Sequence, residues 1–153
     1  SHEQYAQLCE ELSEWKNKYK NELRIEPADS MGYCNPITDS FLGEDYEWQG
    51  CNAGICVLGI EANGNVKGCL SLQDDKFIAG SVKEKGLINI WNDDDLFPYS
   101  RGYDASKMEG NCKGCQSAEQ CKAGCLGMAY SLHKSIHQNS YCYKSIKNQQ
   151  CQK

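Results

Sequence analysis

The chain is short of aliphatic residues. Leu, Ile, Val and Phe number 11, 9, 3 and 3 among 153 residues, a share that in a strongly charged chain marks disorder. The net charge is only -5, however, and three Trp and nine Tyr argue for packing. A domain of this length buries roughly 68–70 per cent of its unfolded surface, so something besides an oily core must help to hold it. Arginine occurs only at Arg24 and Arg101, and 16 Lys and Arg stand against 21 Asp and Glu. That balance excludes a broad nucleic-acid footprint, which needs clustered basic residues. The longest apolar run, Ile55 to Ile60, is far too short for a bilayer span even counting Cys56 and Gly59. The polar start Ser1-His2-Glu3 is no secretory signal; a cytoplasmic setting is expected, with no membrane partner. Lacking an initiator Met, the chain reads as a domain of a longer protein or a separated subunit. It has no dinucleotide or phosphate-loop glycine pattern, nucleophile elbow or zinc-hydrolase histidine pair.

What it has is eleven cysteines. An odd count without a secretory signal disfavours a disulfide framework, and the spacing favours metal. Cys112, Cys115, Cys121 and Cys125 form C-x2-C-x5-C-x3-C, with Cys142 following; upstream, Cys51, Gly64 and Cys69 form C-x12-G-x4-C, with Cys56 inside it. A C-x2-C pair puts two thiolates on one turn, within reach of one metal centre, in zinc and iron-sulfur sites alike. Gly114 and Gly124 allow sharp turns there. Metal ligation also answers the thin core, because it supplies folding free energy that burial does not.

Trp48-Gln-Gly-Cys51-Asn-Ala-Gly54, Ile60-Glu-Ala-Asn-Gly64-Asn-Val66-Lys-Gly-Cys69, Phe77-Ile-Ala-Gly80, Ile88-Asn-Ile-Trp91 and the cysteine run through Tyr141-Cys142 together resemble the SPASM domain. This domain is the C-terminal extension of many radical SAM enzymes that mature peptides and proteins. The resemblance covers residues 48–143. It implies two auxiliary [4Fe-4S] clusters: Cys51, Cys69 and Cys125 hold the first, with Cys56 as candidate fourth ligand, while Cys112, Cys115, Cys121 and Cys142 hold the second. The implied fold is a small, irregular α+β domain, a β-hairpin plus short helices organised around two clusters, with an N-terminal amphipathic helix. Residues 1–47 would be the end of, or the bridge from, a missing radical SAM barrel, and residues 144–153 a polar tail.

Local patterns add detail. The stripe Tyr5, Leu8, Leu12, Trp15, Tyr19 predicts a helix over 3–20, with Cys9 as core; its apolar face would lack the barrel and so pack back on the domain or mediate dimers. Leu23-Arg-Ile25-Glu alternates like a strand ended by Pro27. Residues 55–62 and 65–70 read as a hairpin with a type I′ turn at Asn63-Gly64. A short helix is expected around 83–91, a second beginning in Asp93-Asp-Asp95, and a longer one from Ala118 or Gly124 through His133. His133 and His137 would share a helix face, but the polar residues after them read as an exposed end, not a metal site. Tyr141 and Tyr143 are expected to shield the second cluster. Cys34, near a turn, has a minor claim on substrate or metal, and Cys151 sits in a polar tail.

No C-x3-C-x2-C occurs, since Met128 stands where that motif would need its last cysteine. The chain alone is therefore not expected to perform radical chemistry; S-adenosylmethionine would enter only through a barrel in the same or a separate chain, acting on a peptide or protein substrate. The auxiliary clusters would position substrate or transfer electrons. Two other readings stay open. One is a structural zinc module enclosed by Cys112, Cys115, Cys121 and Cys125, with the remaining cysteines holding another zinc. The other is a free-standing electron carrier or peptide-binding partner.

Overall fold

The computed structural model describes residues 1–26, 28, 31, 33, 35–37 and 50–147. Pro27, Cys34, Trp48 and Cys151 lie outside them, and so do the expectations placed on those residues. Helix α1, His2–Lys18, starts where the Ser1 side chain accepts from the Gln4 amide while the Gln4 side chain reaches back to the N-terminus, a capping box. Lys16 and Lys18 suit its last turn. The expected helix is present, but its buried face is not the expected stripe. Ala6 and Cys9 are the residues buried, against Tyr143, with Tyr5, Met31 and Ile146 around them. Leu8 and Trp15 remain 42% and 45% exposed. Small side chains at Ala6 and Cys9 let the helix lie close to the Tyr143 ring, which turns the bulky positions outward. The helix thus does pack back on the domain, and the Tyr143 hydroxyl donates to Glu10 at 2.8 Å.

The strand expected at 23–26 does not form. Among the described residues no neighbour pairs with it, and the Glu22 and Leu23 amides bond instead to Tyr19 O, both at 2.8 Å, so the helix unwinds into a turn. The only sheet of the described residues has strand order β1, β2, β3: Gly59–Ile60, Asn65–Lys67 and Gly80–Ser81, all antiparallel. Gly59 faces Lys67 and Ile60 faces Val66 across the predicted hairpin, while Val66 also faces Gly80 of the third strand. The turn is not type I′. Gly64 has φ +99° but Asn63 has no positive φ; the Gly64 amide bonds to Glu61 O and the Glu61 amide to Asn65 O, each at 2.8 Å. This is a three-residue loop closed by glycine, in which one left-handed residue suffices.

Helix α2 covers Leu87–Trp91 and α3 covers Pro98–Arg101. The acidic run does not start a helix: Asp93 caps a turn, accepting from the Asp95 amide at 3.1 Å, and pairs with Lys85 at 2.5 Å, while Pro98 opens α3. Of the two starts expected for the helix ending at His133, the earlier one at Ala118 yields only the separate short helix α4, Ala118–Cys121, while the later one near Gly124 matches α5, Leu126–His133. Between them Lys122, Ala123 and Gly124 take positive φ values of 48°, 59° and 71°, which no right-handed helix can accommodate. Helix α6, Tyr143–Ile146, closes the described fold.

Among the described residues, much of the buried apolar surface falls into three small groups. Val66, Ile90 and Phe97 lie under the sheet; Leu72, Phe77, Leu126 and Tyr130 join α5 to the first half; Ala6, Cys9 and Tyr143 dock α1. Small separated cores match the shortage of aliphatic residues.

Candidate metal centres

The second set of cysteines surrounds one space. Cys112, Cys115, Cys121 and Cys142 line a cleft of about 360 Å³, with Met108, Ala118 and Lys144 among its other walls. Each thiol is placed by a tight backbone feature. Cys112 ends a 3-10 turn, Gly110–Cys112. The Cys115 amide bonds to Cys112 O at 3.1 Å around Gly114, whose φ is +73°. Cys121 is the last residue of α4 and Cys142 the N-cap of α6. Burial pushes the Cys121 thiol up to about 12, with Cys142, Cys112 and Cys115 adding to the rise; burial also raises Cys112 and Cys142, with neighbouring thiols contributing. Cys112, Cys121 and Cys142 thus resist ionisation on their own, and such a donor set needs a cationic core to become thiolates, which a metal-bound thiol does. Behind the cleft, Tyr141 and Tyr143 line a void of about 20 Å³ with Cys112, Cys121 and Cys142. Both tyrosines thus stand where a shield was expected. Lys144 Nζ lies 3.7 Å from Cys115 Sγ and 3.3 Å from Ser117 Oγ.

Cys125 is not among the residues lining that cleft. The left-handed stretch 122–124 turns the chain after Cys121, and Cys125 becomes the N-cap of α5. Its neighbour Leu126 packs with Leu72, Phe77 and Tyr130, the apolar group against which Cys51 and Cys69 also lie. The structure therefore brings Cys51 and Cys69 to one apolar group and Cys125 to its border. The turns bearing Cys51 and Cys69 touch backbone to backbone: a Cβ on Gly68 would fall 2.8 Å from Gly54 N, 2.9 Å from the Ala53 carbonyl carbon and 2.6 Å from Tyr99 Oη. The Gly68 amide donates to that hydroxyl at 2.8 Å. Burial raises the Tyr99 pKa, and the nearby Cys69 and Cys51 raise it further.

Two cations brace these turns from behind. Lys67, 1% exposed, donates to Gln73 O at 3.0 Å and pairs with Glu61 at 2.7 Å; the bond from Lys67 holds Glu61 below the usual carboxylate range. Arg101 donates at 2.8 Å to each of Gly54 O, Asp93 O and Trp91 O, and stacks over Phe97 and Trp91. Sequence reasoning missed both, and Lys144 as well. Only the positions of Lys67 and Lys144, each two residues from a cysteine, could have flagged them.

Cys56 stands differently. It is exposed, on a turn whose Ile55, Cys56 and Val57 amides converge on Asn52 O, and it is not part of the apolar group that Cys51 and Cys69 touch. Cys9 is buried under α1, as expected. No pair of described cysteines forms a disulfide. His133 and His137 share no face, because α5 ends at His133 with Lys134 left-handed; His133 Nε2 meets Ser140, and the His137 ring packs on Tyr103. Among the described residues no three Cys, His, Asp or Glu side chains converge tightly enough for a single metal ion.

Residues 51–116 match the SPASM family, an iron-sulfur cluster-binding domain. This segment is a SPASM domain. The matched SPASM residues include Cys51, Cys56, Cys69, Cys112 and Cys115, while Cys121, Cys125 and Cys142 lie beyond them. The chain is also similar to proteins named mycofactocin maturase MftC. It is 31% identical to that of Mycobacterium tuberculosis over 108 residues, 70% of this chain and 26% of the relative. To that of Mycolicibacterium smegmatis it is 31% identical over 81 residues, 52% of this chain and 20% of the relative. For Mycobacterium ulcerans the values are 30%, 70% and 28%. The chain thus spans about a quarter of the length of these relatives.

Proposed function

We propose that this chain is the auxiliary cluster domain of a radical SAM maturase acting on a ribosomally made peptide or protein. Cys112, Cys115, Cys121 and Cys142 hold the second [4Fe-4S] cluster; Cys51, Cys69 and Cys125 hold the first, with Cys56 as its exposed fourth ligand. Residues 48–143 form the cluster domain and residues 1–47 lead from the barrel; the tail expected from residue 144 begins only after α6, whose Lys144 lines the second cleft and whose Ile146 packs against α1. The observation that carries this reading is the cleft: its thiols include Cys142 and omit Cys125. A zinc enclosed by the contiguous run Cys112 to Cys125 would need the opposite.

Such clusters supply one-electron chemistry, with potentials set by ligand charge, burial and hydrogen bonds to sulfur. The protein's part is to hold thiolates, exclude water with Tyr99, Tyr141 and Tyr143, and present peptide to the missing barrel. Likeness to the mycofactocin maturases supports the maturase setting. Among the described residues no helix is long and apolar enough to cross a membrane.

Anaerobic purification should give a coloured protein with iron and acid-labile sulfide matching two [4Fe-4S] clusters. A colourless protein with stoichiometric zinc and no sulfide would overturn the reading. Single Cys→Ala variants of the eight ligands should each lower iron content, Cys56→Ala least. If Cys56→Ala changes neither the iron count nor the EPR spectrum, Cys56 leaves the ligand set.

A further inference from the structure

The cations of the two centres are aimed at different atoms. Lys67 and Arg101 donate to backbone carbonyls behind the first-centre turns. Lys144 instead lines the second cleft itself, its Nζ 3.7 Å from Cys115 Sγ and 3.3 Å from Ser117 Oγ. It forms no ion pair with a carboxylate among the described residues. Its charge therefore acts on the sulfur instead of being spent on a partner. Reduction adds one negative charge to a cluster, and a cation hydrogen-bonded to a ligand sulfur favours the reduced form.

We infer that Lys144 is a positioning residue that raises the reduction potential of the second centre by donating an N–H···S hydrogen bond to Cys115. This rests on the ligand set proposed above. One electron from an external reductant, such as dithionite, enters the cluster. Lys144 thereby separates the potentials of two centres that carry the same type of ligand.

The test is an EPR-monitored redox titration of the anaerobically purified, cluster-loaded protein as wild type, Lys144→Met, Lys144→Gln and Lys144→Arg. The second-centre signal is the one that disappears in Cys142→Ala. In Lys144→Met and Lys144→Gln its reduced-to-oxidised ratio at fixed potential should fall about tenfold, about 59 mV for a one-electron couple. Lys144→Arg should restore most of the shift, the first-centre signal should not move, and iron content should stay whole. Unchanged potentials with full iron overturn the inference and leave the ligand set standing. Loss of the second cluster from both neutral variants also overturns it, making Lys144 a brace for the loop. If the wild type holds no second cluster, the ligand set falls, and the inference with it.

Discussion

Around the second centre, four cysteines face an open cleft and no residue from Glu109 to Lys122 is buried. Around the first, two cysteines rest on Leu72, Phe77, Leu126 and Tyr130, beside a three-stranded sheet with its own core of Val66, Ile90 and Phe97. The two proposed ligand sets are therefore mounted in different ways. The first-centre turns belong to a structure that buries apolar surface and fixes cations on carbonyls; the second-centre loop has short helical turns, polar side chains and its cysteines. A segment in which only a few side chains are partly buried offsets little of its own chain entropy through the hydrophobic effect. A few hydrogen bonds tie residues 109–122 to the rest of the fold, among them Asn111 to Asn139 O at 2.7 Å and the Glu109 amide to His137 O at 2.9 Å; on the ligand set proposed above, ligation supplies the rest. The three left-handed residues 122–124 turn the chain between Cys121, which lines the second cleft, and Cys125, which does not.

The harshest way to break this contrast is to remove the metal. Anaerobic chelation with an oxidant should abolish hydrogen-exchange protection across residues 109–122, to the level of an unfolded segment, while β2 and α5 keep measurable protection. Their amides belong to the sheet and to the group of Leu72, Phe77, Leu126 and Tyr130. Uniform loss over the whole domain would mean that the apolar groups do not sustain the first half, and that both centres hold up one fold equally. Retained protection in 109–122 would show the loop to be held by something other than its cysteines.

A smaller and more selective effect is expected from Gly68→Ala. The added methyl would meet backbone, Gly54 N at 2.8 Å and the Ala53 carbonyl carbon at 2.9 Å, as well as the Tyr99 hydroxyl, and backbone cannot swing aside as a flexible side chain can. The turns of Cys51 and Cys69 should separate. The measurement is iron content with EPR: loss of the first-centre signal and about half the iron, with the second-centre signal kept. Loss of both signals would say that the centres are not independently mounted.

That the cysteines cluster for metal was legible in their spacing, because ligand spacing is a local property of turns, whereas their division into two sets was implied only by the resemblance to the SPASM domain. The hairpin and the N-terminal helix were legible too, since alternation and helical periodicity are local. What was not legible depended on tertiary choice. The stripe Leu8, Leu12, Trp15 has the stronger apolar pattern, yet Ala6 and Cys9 are buried because Tyr143, far off in sequence, leaves room only for small side chains. Residues 118–133 carry a continuous helical pattern, and Lys122 and Ala123 give no hint of the left-handed backbone that separates Cys121, on the cleft, from Cys125, outside it. The strand expected at 23–26 had the right alternation and no partner among the described residues. The roles of Lys67, Arg101 and Lys144 arise from which carbonyl or sulfur each meets, which no single-chain pattern encodes.

The mildest expected effect concerns the cation under Cys69. Lys67→Met keeps the length of the buried stem and removes the ammonium that bonds Gln73 O and Glu61. Glu61 is partly exposed and can be hydrated, so the main loss is one donor to a carbonyl at the end of the Cys69 turn, about 1 kcal/mol. In cluster-loaded protein the denaturant midpoint should fall slightly while iron content and both EPR signals stay unchanged. Glu61→Gln should cost more than Lys67→Met, because it leaves a fully buried cation without its carboxylate. If Lys67→Met instead shifts the first-centre potential as far as the neutral Lys144 variants shift the second, the distinction between cations on carbonyls and a cation on sulfur collapses, and charge proximity alone governs both centres.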